Sequence, residues 1–192
     1  MGTVRCFVAV FLHPSLRTEM ATLQKKLSYS GADIKWVEPD NLHFTLQFLG
    51  DVENVRIPSI TDALRDCLTD SCRFELELNT IGAFPNLLNP RVLWVGVGAG
   101  RERLISLMST VQEAMKMEGF ARDSKGFSPH LTIGRVRSSR NLKALTGKLG
   151  SGLTVKGTME VTEIQFTTSE LTNKGPIYSP IEIIPLRVSS EI

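Results

Sequence analysis

The sequence is short of most features that announce a special class of protein. Its 192 residues include three cysteines, at positions 6, 67 and 72. That is an odd number with no metal-ligand spacing, so no disulfide framework is expected and the thiols read as reduced. An excess of one charge is missing as well. Lys and Arg number 22 against 20 Asp and Glu, a net charge of +2, which excludes polyelectrolyte behaviour. Long apolar runs are absent. The charge-free stretch Asn79 to Pro90 contains polar residues and two prolines, far short of the roughly 20 apolar residues a membrane span requires. At the N-terminus Arg5 precedes the apolar run Cys6 to Leu12, but His13-Pro14 follows where a signal peptide would show small residues. Met1-Gly2 lacks the Ser or Thr at position 6 that myristoylation favours. The run therefore reads as a buried strand, and a cytoplasmic protein without a membrane partner is expected. What remains is 42% hydrophobic, 22% charged and 7% aromatic, the make-up of a globular domain.

The pattern along the chain alternates strands and helices. Strands are expected at Val4–Leu12, Ile34–Val37, Leu42–Leu49, Arg73–Leu78, Val92–Val97, His130–Val136, Leu153–Val155, Thr162–Thr168 and Ile181–Leu186. Helices are expected from Pro14 to about Tyr29, near Ser59–Leu68, over Arg101–Met117 and over Asn141–Leu149. Gly82 to Pro90, with two prolines and two asparagines, reads as a loop. Sliding the chain by 87 residues lays Val4–Val10 on Arg91–Val97, His43 on His130 and Thr45 on Thr132. An offset shared by strand, helix and motif suggests an internal duplication, about 4–81 and 91–170 plus a C-terminal strand, within one domain spanning 1–192.

Histidine is scarce, and its placement is informative. Two of the three histidines stand in the pattern His-x-Thr-x: His43-Phe44-Thr45-Leu46 and His130-Leu131-Thr132-Ile133. With 16 threonines in the chain, that coincidence has odds of roughly 2%. Each motif alternates polar and apolar residues, so on a strand His and Thr face one way while Phe44, Leu46, Leu131 and Ile133 enter a core. A lone strand histidine is more often incidental than functional. Two of them related by the offset of their flanking elements reverse that weighting, and packing of the halves about a pseudo-two-fold axis would bring two imidazoles and two hydroxyls together across a cleft.

The double motif resembles the two-histidine (2H) phosphoesterases, and among them the RNA 2′,3′-cyclic phosphodiesterases, also named 2′-5′ RNA ligases. The resemblance rests on Ile34-Lys35-Trp36-Val37, Leu46-Gln47-Phe48-Leu49-Gly50, Gly82-Ala83-Phe84-Pro85 and Phe127-Ser128-Pro129-His130-Leu131-Thr132-Ile133-Gly134-Arg135-Val136, and covers nearly the whole chain. One departure is His13-Pro14, where the family usually carries an acidic residue. The resemblance implies an α+β fold of two pseudo-symmetric lobes, each a small antiparallel sheet flanked by helices, with the active cleft between them. It also implies hydrolysis of RNA 2′,3′-cyclic phosphate ends to 2′-phosphomonoesters, with His43 as proton donor, His130 as proton acceptor, and Arg135 on the phosphate. Imidazole suits both proton transfers near neutrality, and Thr45 and Thr132 hydroxyls can donate to the phosphate. No metal and no cofactor are expected, since no third His or carboxylate stands at ligand spacing. A monomer acting on an RNA terminus or short oligonucleotide is expected, without an obligate protein partner. Two competing readings are 2′-5′ ligation of RNA halves and a non-catalytic RNA-binding module.

Local charge points the same way. No acidic residue lies between Ser124 and Thr158, where Lys125, Arg135, Arg137, Arg140, Lys143, Lys148 and Lys156 gather, whereas Glu38, Asp40, Asp51 and Glu53 flank His43. Positive surroundings lower a histidine pKa and negative ones raise it, so the acid is expected in the first half and the base in the second. The basic stretch is read either as an RNA-attracting patch or as a solvated helix face. Strict alternation would turn Arg135 away from His130, so a phosphate role for it demands a bulge or twist near Gly134. Phe84 and Tyr178 are candidates for stacking a base, with core packing the competing fate of Phe84. Trp36 and Trp94 read as core anchors, and His13 as solvent-facing. The glycines of Gly96–Gly100 read as a plain strand-to-helix turn, because Arg101 breaks the dinucleotide-loop pattern.

Overall fold

The computed structural model describes residues 2–121, 129–151, 153–173 and 175–188. Nine strands and four α-helices are described: β1 (Thr3–Phe11), α1 (Pro14–Ser28), β2 (Ile34–Trp36), β3 (His43–Glu53), α2 (Ile57–Cys67), β4 (Phe74–Phe84), β5 (Val92–Val97), α3 (Arg101–Met117), β6 (His130–Val136), α4 (Leu142–Leu149), β7 (Gly157–Val161), β8 (Glu163–Thr172) and β9 (Gly175–Pro185). None of the described helices is long and apolar enough to cross a membrane.

The strands form two antiparallel sheets, one ordered β3-β1-β8-β9 and the other β2-β6-β5-β4-β7. Leaving β2 aside, the second order repeats the first: β6 answers β3, β5 answers β1, β4 answers β8 and β7 answers β9. The third strand of each series is exchanged. β4, from the first half of the chain, completes the sheet of β5 and β6, and β8 completes that of β1 and β3. Helices cross over too. α1 follows β1 yet packs against β6, β7 and α4, while α3 follows β5 yet packs on β3 and α2.

The reasons are legible residue by residue. α1 opens with Pro at its first position and His13 accepting from the Ser15 amide, which suits an N-terminus whose first amides lack helical partners. It buries Leu16, Met20, Leu23, Gln24 and Leu27, and α3 buries the matching series Leu104, Met108, Val111, Gln112 and Met115. A 3.6-residue period produces both stripes. They meet the apolar undersides of the sheets in one continuous core that includes Phe44, Leu46, Leu131, Ile133 and Phe166.

The structure corrects three boundaries. β4 runs on to Phe84, through the start of the segment read as a loop, because Ile81 to Phe84 pair with Val92 to Val95 of β5. Leu153–Val155 is not a strand. Instead Gly157–Val161 pairs with Phe74–Leu78, an alignment that buries Met159 and Val161. β8 and β9 form a longer hairpin than periodicity suggested, closed at Thr172 and Gly175.

Candidate active site

The register of the two motif strands builds the site. In the first sheet Phe11 pairs with His43, Ala9 with Thr45 and Val8 with Gln47, so Leu46 is an extra residue on β3. In the second, Gly96 pairs with His130, Trp94 with Thr132 and Leu93 with Gly134, so Ile133 is the extra residue on β6. The same bulge thus falls at the same point of both motifs. Its consequence is a reset of the alternation. Leu46 and Gln47 are both buried, as are Ile133 and Gly134, so the next residue returns to the face of His and Thr. On β6 that residue is Arg135, placed opposite Val92; on β3 it is Phe48, placed opposite Phe7. The bulge demanded for Arg135 is therefore present. The strands before the motifs match at a shift of 85, from Ala9 to Trp94, and the motifs at 87. The difference is one pleat period, which leaves every side chain on its face.

His43 is half-buried and its Nδ1 lies 2.7 Å from the Asn41 carbonyl oxygen. A carbonyl can only accept, so Nδ1 carries the hydrogen and Nε2 is left for chemistry. Asn41 is itself held, because its side-chain amide donates to the Pro176 carbonyl at the root of β9. Aromatic rings wall the imidazole, with Phe7 at 5.0 Å, Phe11 at 5.3 Å and Tyr178 edge-on at 5.3 Å between centroids. His130 has a smaller enclosure, with Phe84 edge-on at 5.0 Å and Trp94 at 6.4 Å.

Burial holds the His43 pKa below the usual imidazole value; the Asn41 hydrogen bond opposes this, and the charges of Arg135 and His130 reinforce it. Those two charges come from the other sheet, so both imidazoles and the guanidinium share one electrostatic neighbourhood. Tyr178 joins them. Burial pushes its hydroxyl up, against the pull of Arg135. The sequence-based expectation that acidic neighbours raise His43 is thus corrected. Asp40 is paired with Arg17, and Asp51 and Glu53 sit beside Arg5 and Thr3 at the far end of β3, about 25–33 Å along the strand.

The structure brings His43, Thr45, His130, Thr132, Arg135, Phe84 and Tyr178 to one cleft. Phe84 lines it instead of filling the core, and Trp94, expected as a core anchor, faces it over His130. Trp36 does pack on the core, and His13 is exposed. Of the basic stretch Arg135 reaches the cleft, while the α4 part of it does not. Arg140 and Lys143 are exposed beside α4, which packs with α1 behind the second sheet. Lys125, Phe127 and Ser128 lie outside the described residues. Sequence reasoning missed Phe7, Phe11 and Phe48, whose apolar character hid which face they share. It also missed Lys35, the exposed cross-strand partner of Arg135. Among the described residues no three His, Cys, Asp or Glu side chains converge as a metal site would require.

Comparison with known proteins gives concordant findings. Residues 10–94 match the family model of the LigT-like phosphoesterases. A protein of Methanothermobacter thermautotrophicus named RNA 2′,3′-cyclic phosphodiesterase is 39% identical over 95% of this chain and 99% of its own length. A protein of the same name from Aquifex aeolicus is 35% identical over 95% of this chain and 97% of its own. A crystal structure from Thermus thermophilus superposes with a TM-score of 0.80 at 26% identity, covering 96% of this chain and 98% of that one.

Proposed function

The chain belongs to the LigT-like phosphoesterase family, and from that premise we propose that it opens 2′,3′-cyclic phosphodiester ends of RNA to 2′-phosphomonoesters. The observation that supports the reading is that His130 and Arg135 of one sheet act electrostatically on His43 of the other, with each threonine on the face of its histidine and a bulge returning Arg135 to that face. In the proposed step the cyclic phosphate sits between the motifs, its non-bridging oxygens accepting from the Thr45 and Thr132 hydroxyls and the Arg135 guanidinium. His130 takes a proton from water as its oxygen bonds to phosphorus. The bond from phosphorus to O3′ breaks, and His43 gives its Nε2 proton to the departing oxygen. The product carries a 2′-phosphate and a free 3′ hydroxyl, and the two histidines exchange roles in the reverse direction.

The depressed pKa of His43 fits this scheme through the substrate's own charge. In the free protein burial and Arg135 favour neutral imidazole. A bound phosphate monoanion offsets Arg135 and gives the imidazolium a counter-charge, so the acid is charged when its substrate is present. Phe84 and Tyr178 offer rings on which the terminal base can stack. The same reading treats the molecule as one bilobal domain built from a duplicated unit, about 4–81 and 91–170, supported by the matching strand orders.

The test is incubation with an RNA bearing a 2′,3′-cyclic end, followed by identification of the phosphate position in the product, with and without EDTA. A 2′-phosphate formed equally in both conditions is expected. His43→Ala and His130→Ala should each lower kcat by about 10²–10⁴-fold while remaining folded. Near-wild-type turnover in either variant would remove that histidine from the mechanism, and loss on chelation restored by zinc or manganese would show the cleft to be misread.

A further inference from the structure

Both bulges are held from behind by a glutamine. Gln24 of α1 is buried, and its side-chain amide donates to the Ile133 carbonyl at 3.0 Å and to the Val37 carbonyl at 2.7 Å. Gln112 of α3 is buried at the equivalent place in its helix, between Val111 and Met115, and its amide donates to the Leu46 carbonyl at 3.3 Å. Ile133 and Leu46 are the extra residues of the two bulges. The grip is crossed: a helix of the first half holds the strand of the second motif, and a helix of the second half holds that of the first.

Glutamine is the residue type this place demands. A bulge leaves one residue out of the pairing with its neighbour strand; the Ile133 carbonyl accepts from the Val37 amide at 3.1 Å and, through its second lone pair, from Gln24. A leucine in the helix would fill the space and provide no donor; a lysine or arginine would bury a charge. A glutamine reaches across the helix–sheet interface with a neutral NH₂. Two such residues, otherwise surrounded by Leu, Met and Val, serve the two points that decide which side chains reach the cleft.

We propose that Gln24 and Gln112 are positioning residues: each fixes the bulge of the opposite motif strand and thereby sets Arg135, and its counterpart Phe48, on the catalytic face. His130 and Thr132 precede the bulge in β6 and Arg135 follows it. Losing the bulge would turn Arg135 out of the cleft and leave the histidine in place. Gln24 thus acts through Arg135. The inference rests on the reaction proposed above, and wild-type protein assayed alongside separates the two, since an inactive wild type would sink the reaction itself.

The experiment compares Gln24→Leu, Arg135→Gln and the double variant for kcat/KM on RNA with a 2′,3′-cyclic end, across pH. Gln24→Leu should lower kcat/KM by about 10–100-fold, the scale of an ångström-sized misplacement. In the Arg135→Gln background the same change should cost less than about threefold, because the group it places has already gone. The pH limb belonging to His43 should move upward in both single variants, as the nearby cation is lost, and no further in the double variant. Gln112→Leu, acting on the other strand, should multiply in full with Arg135→Gln. Should Gln24→Leu fail to fold, Gln24→Asn, which withdraws the donor by one methylene, takes its place in the same cycle. Wild-type kcat/KM with only a lowered Tm, or losses from Gln24 and Arg135 that multiply in full, would overturn the proposal and reduce Gln24 to a structural hydrogen bond.

Discussion

Gly82 lies under the indole of Trp94, and adding one methyl group there tests the architecture of the His130 wall. An alanine Cβ at position 82 would stand 2.1 Å from Cζ2, 2.2 Å from Cη2 and 2.6 Å from Cε2 of Trp94. Carbon atoms rest at about 3.5–4.0 Å, so the ring must retreat by about 1.4 Å or more. It has little freedom to do so, because Phe84 stands 5.3 Å away and His130 6.4 Å between ring centroids. Overpacking of this kind costs about 1–3 kcal/mol, and for a domain of this size each kcal/mol moves Tm by about 2–4 °C. Gly82→Ala should therefore melt about 2–12 °C lower. The retreating ring presses on the imidazole and on Phe84, the ring proposed to stack a base, so kcat/KM should fall about 10–100-fold. Thermal melts and cyclic-phosphate hydrolysis read the two effects separately. In a Trp94→Phe background, whose ring ends short of the clashing atoms, the same alanine should cost far less in both. Wild-type Tm and turnover in Gly82→Ala, or an equal cost in the two backgrounds, would refute the reasoning.

Other consequences can be checked directly. Arg135→Gln should lower kcat/KM by about 10²–10³-fold, the cost of one preorganised donor to a developing charge, and an NMR titration should find the His43 pKa raised relative to wild type, since a nearby cation is lost. The folded protein binds the His43 proton more weakly than the unfolded chain does. Its contribution to stability is therefore complete above about pH 6.5 and declines as pH falls below that value; denaturant melts at pH 5 and pH 8 should show a smaller difference in His43→Gln than in wild type. Burial pushes the Cys6 and Cys67 thiols up to about 11, so iodoacetamide at pH 8 should label Cys72 well before either, as peptide mass mapping would record. Phe166 is fully buried in the core, and Phe166→Ala should destabilise by about 3–5 kcal/mol in chemical denaturation without altering the pH limbs of residual activity.

Much of this is legible in the sequence itself. Leu16, Met20, Leu23 and Leu27 mark α1, and the matching stripe marks α3, because a buried helix face repeats every 3.6 residues. His43 with Thr45, and His130 with Thr132, are legible as facing pairs because apolar neighbours alternate with them. The bulges are less so. Ile133-Gly134 and Leu46-Gln47 are adjacent buried pairs, but a glycine and a glutamine do not announce burial, and only the demand that Arg135 face His130 hinted at one of them. Phe7 and Trp94 were hidden for the opposite reason: β1 and β5 are apolar on both faces, so no polar contrast distinguishes the cleft side. Sequence neighbourhood misjudged the field at His43, since Asp51 and Glu53 recede down the strand while Arg135 arrives from another sheet. Gln24 and Gln112 carry no motif at all. Their meaning depends on a carbonyl over a hundred residues away in one case and on the exchange of helices between sheets in both.

That exchange also bears on how the cleft can move. Each wall is woven from both halves of the chain, with β4 sewn into one sheet and β8 into the other, and a single core runs behind both. The backbone therefore shuttles between the walls repeatedly instead of passing once through a linker. Cutting the chain between β4 and β5 would part β8 and β9 from one wall and β2 and β4 from the other, and leave neither piece able to close its sheet. A site of this kind keeps its jaw width. Selectivity for an RNA end then lies in what fits a fixed gap, and the expense of holding two imidazoles and a guanidinium near one another is met once, during folding, before any substrate arrives.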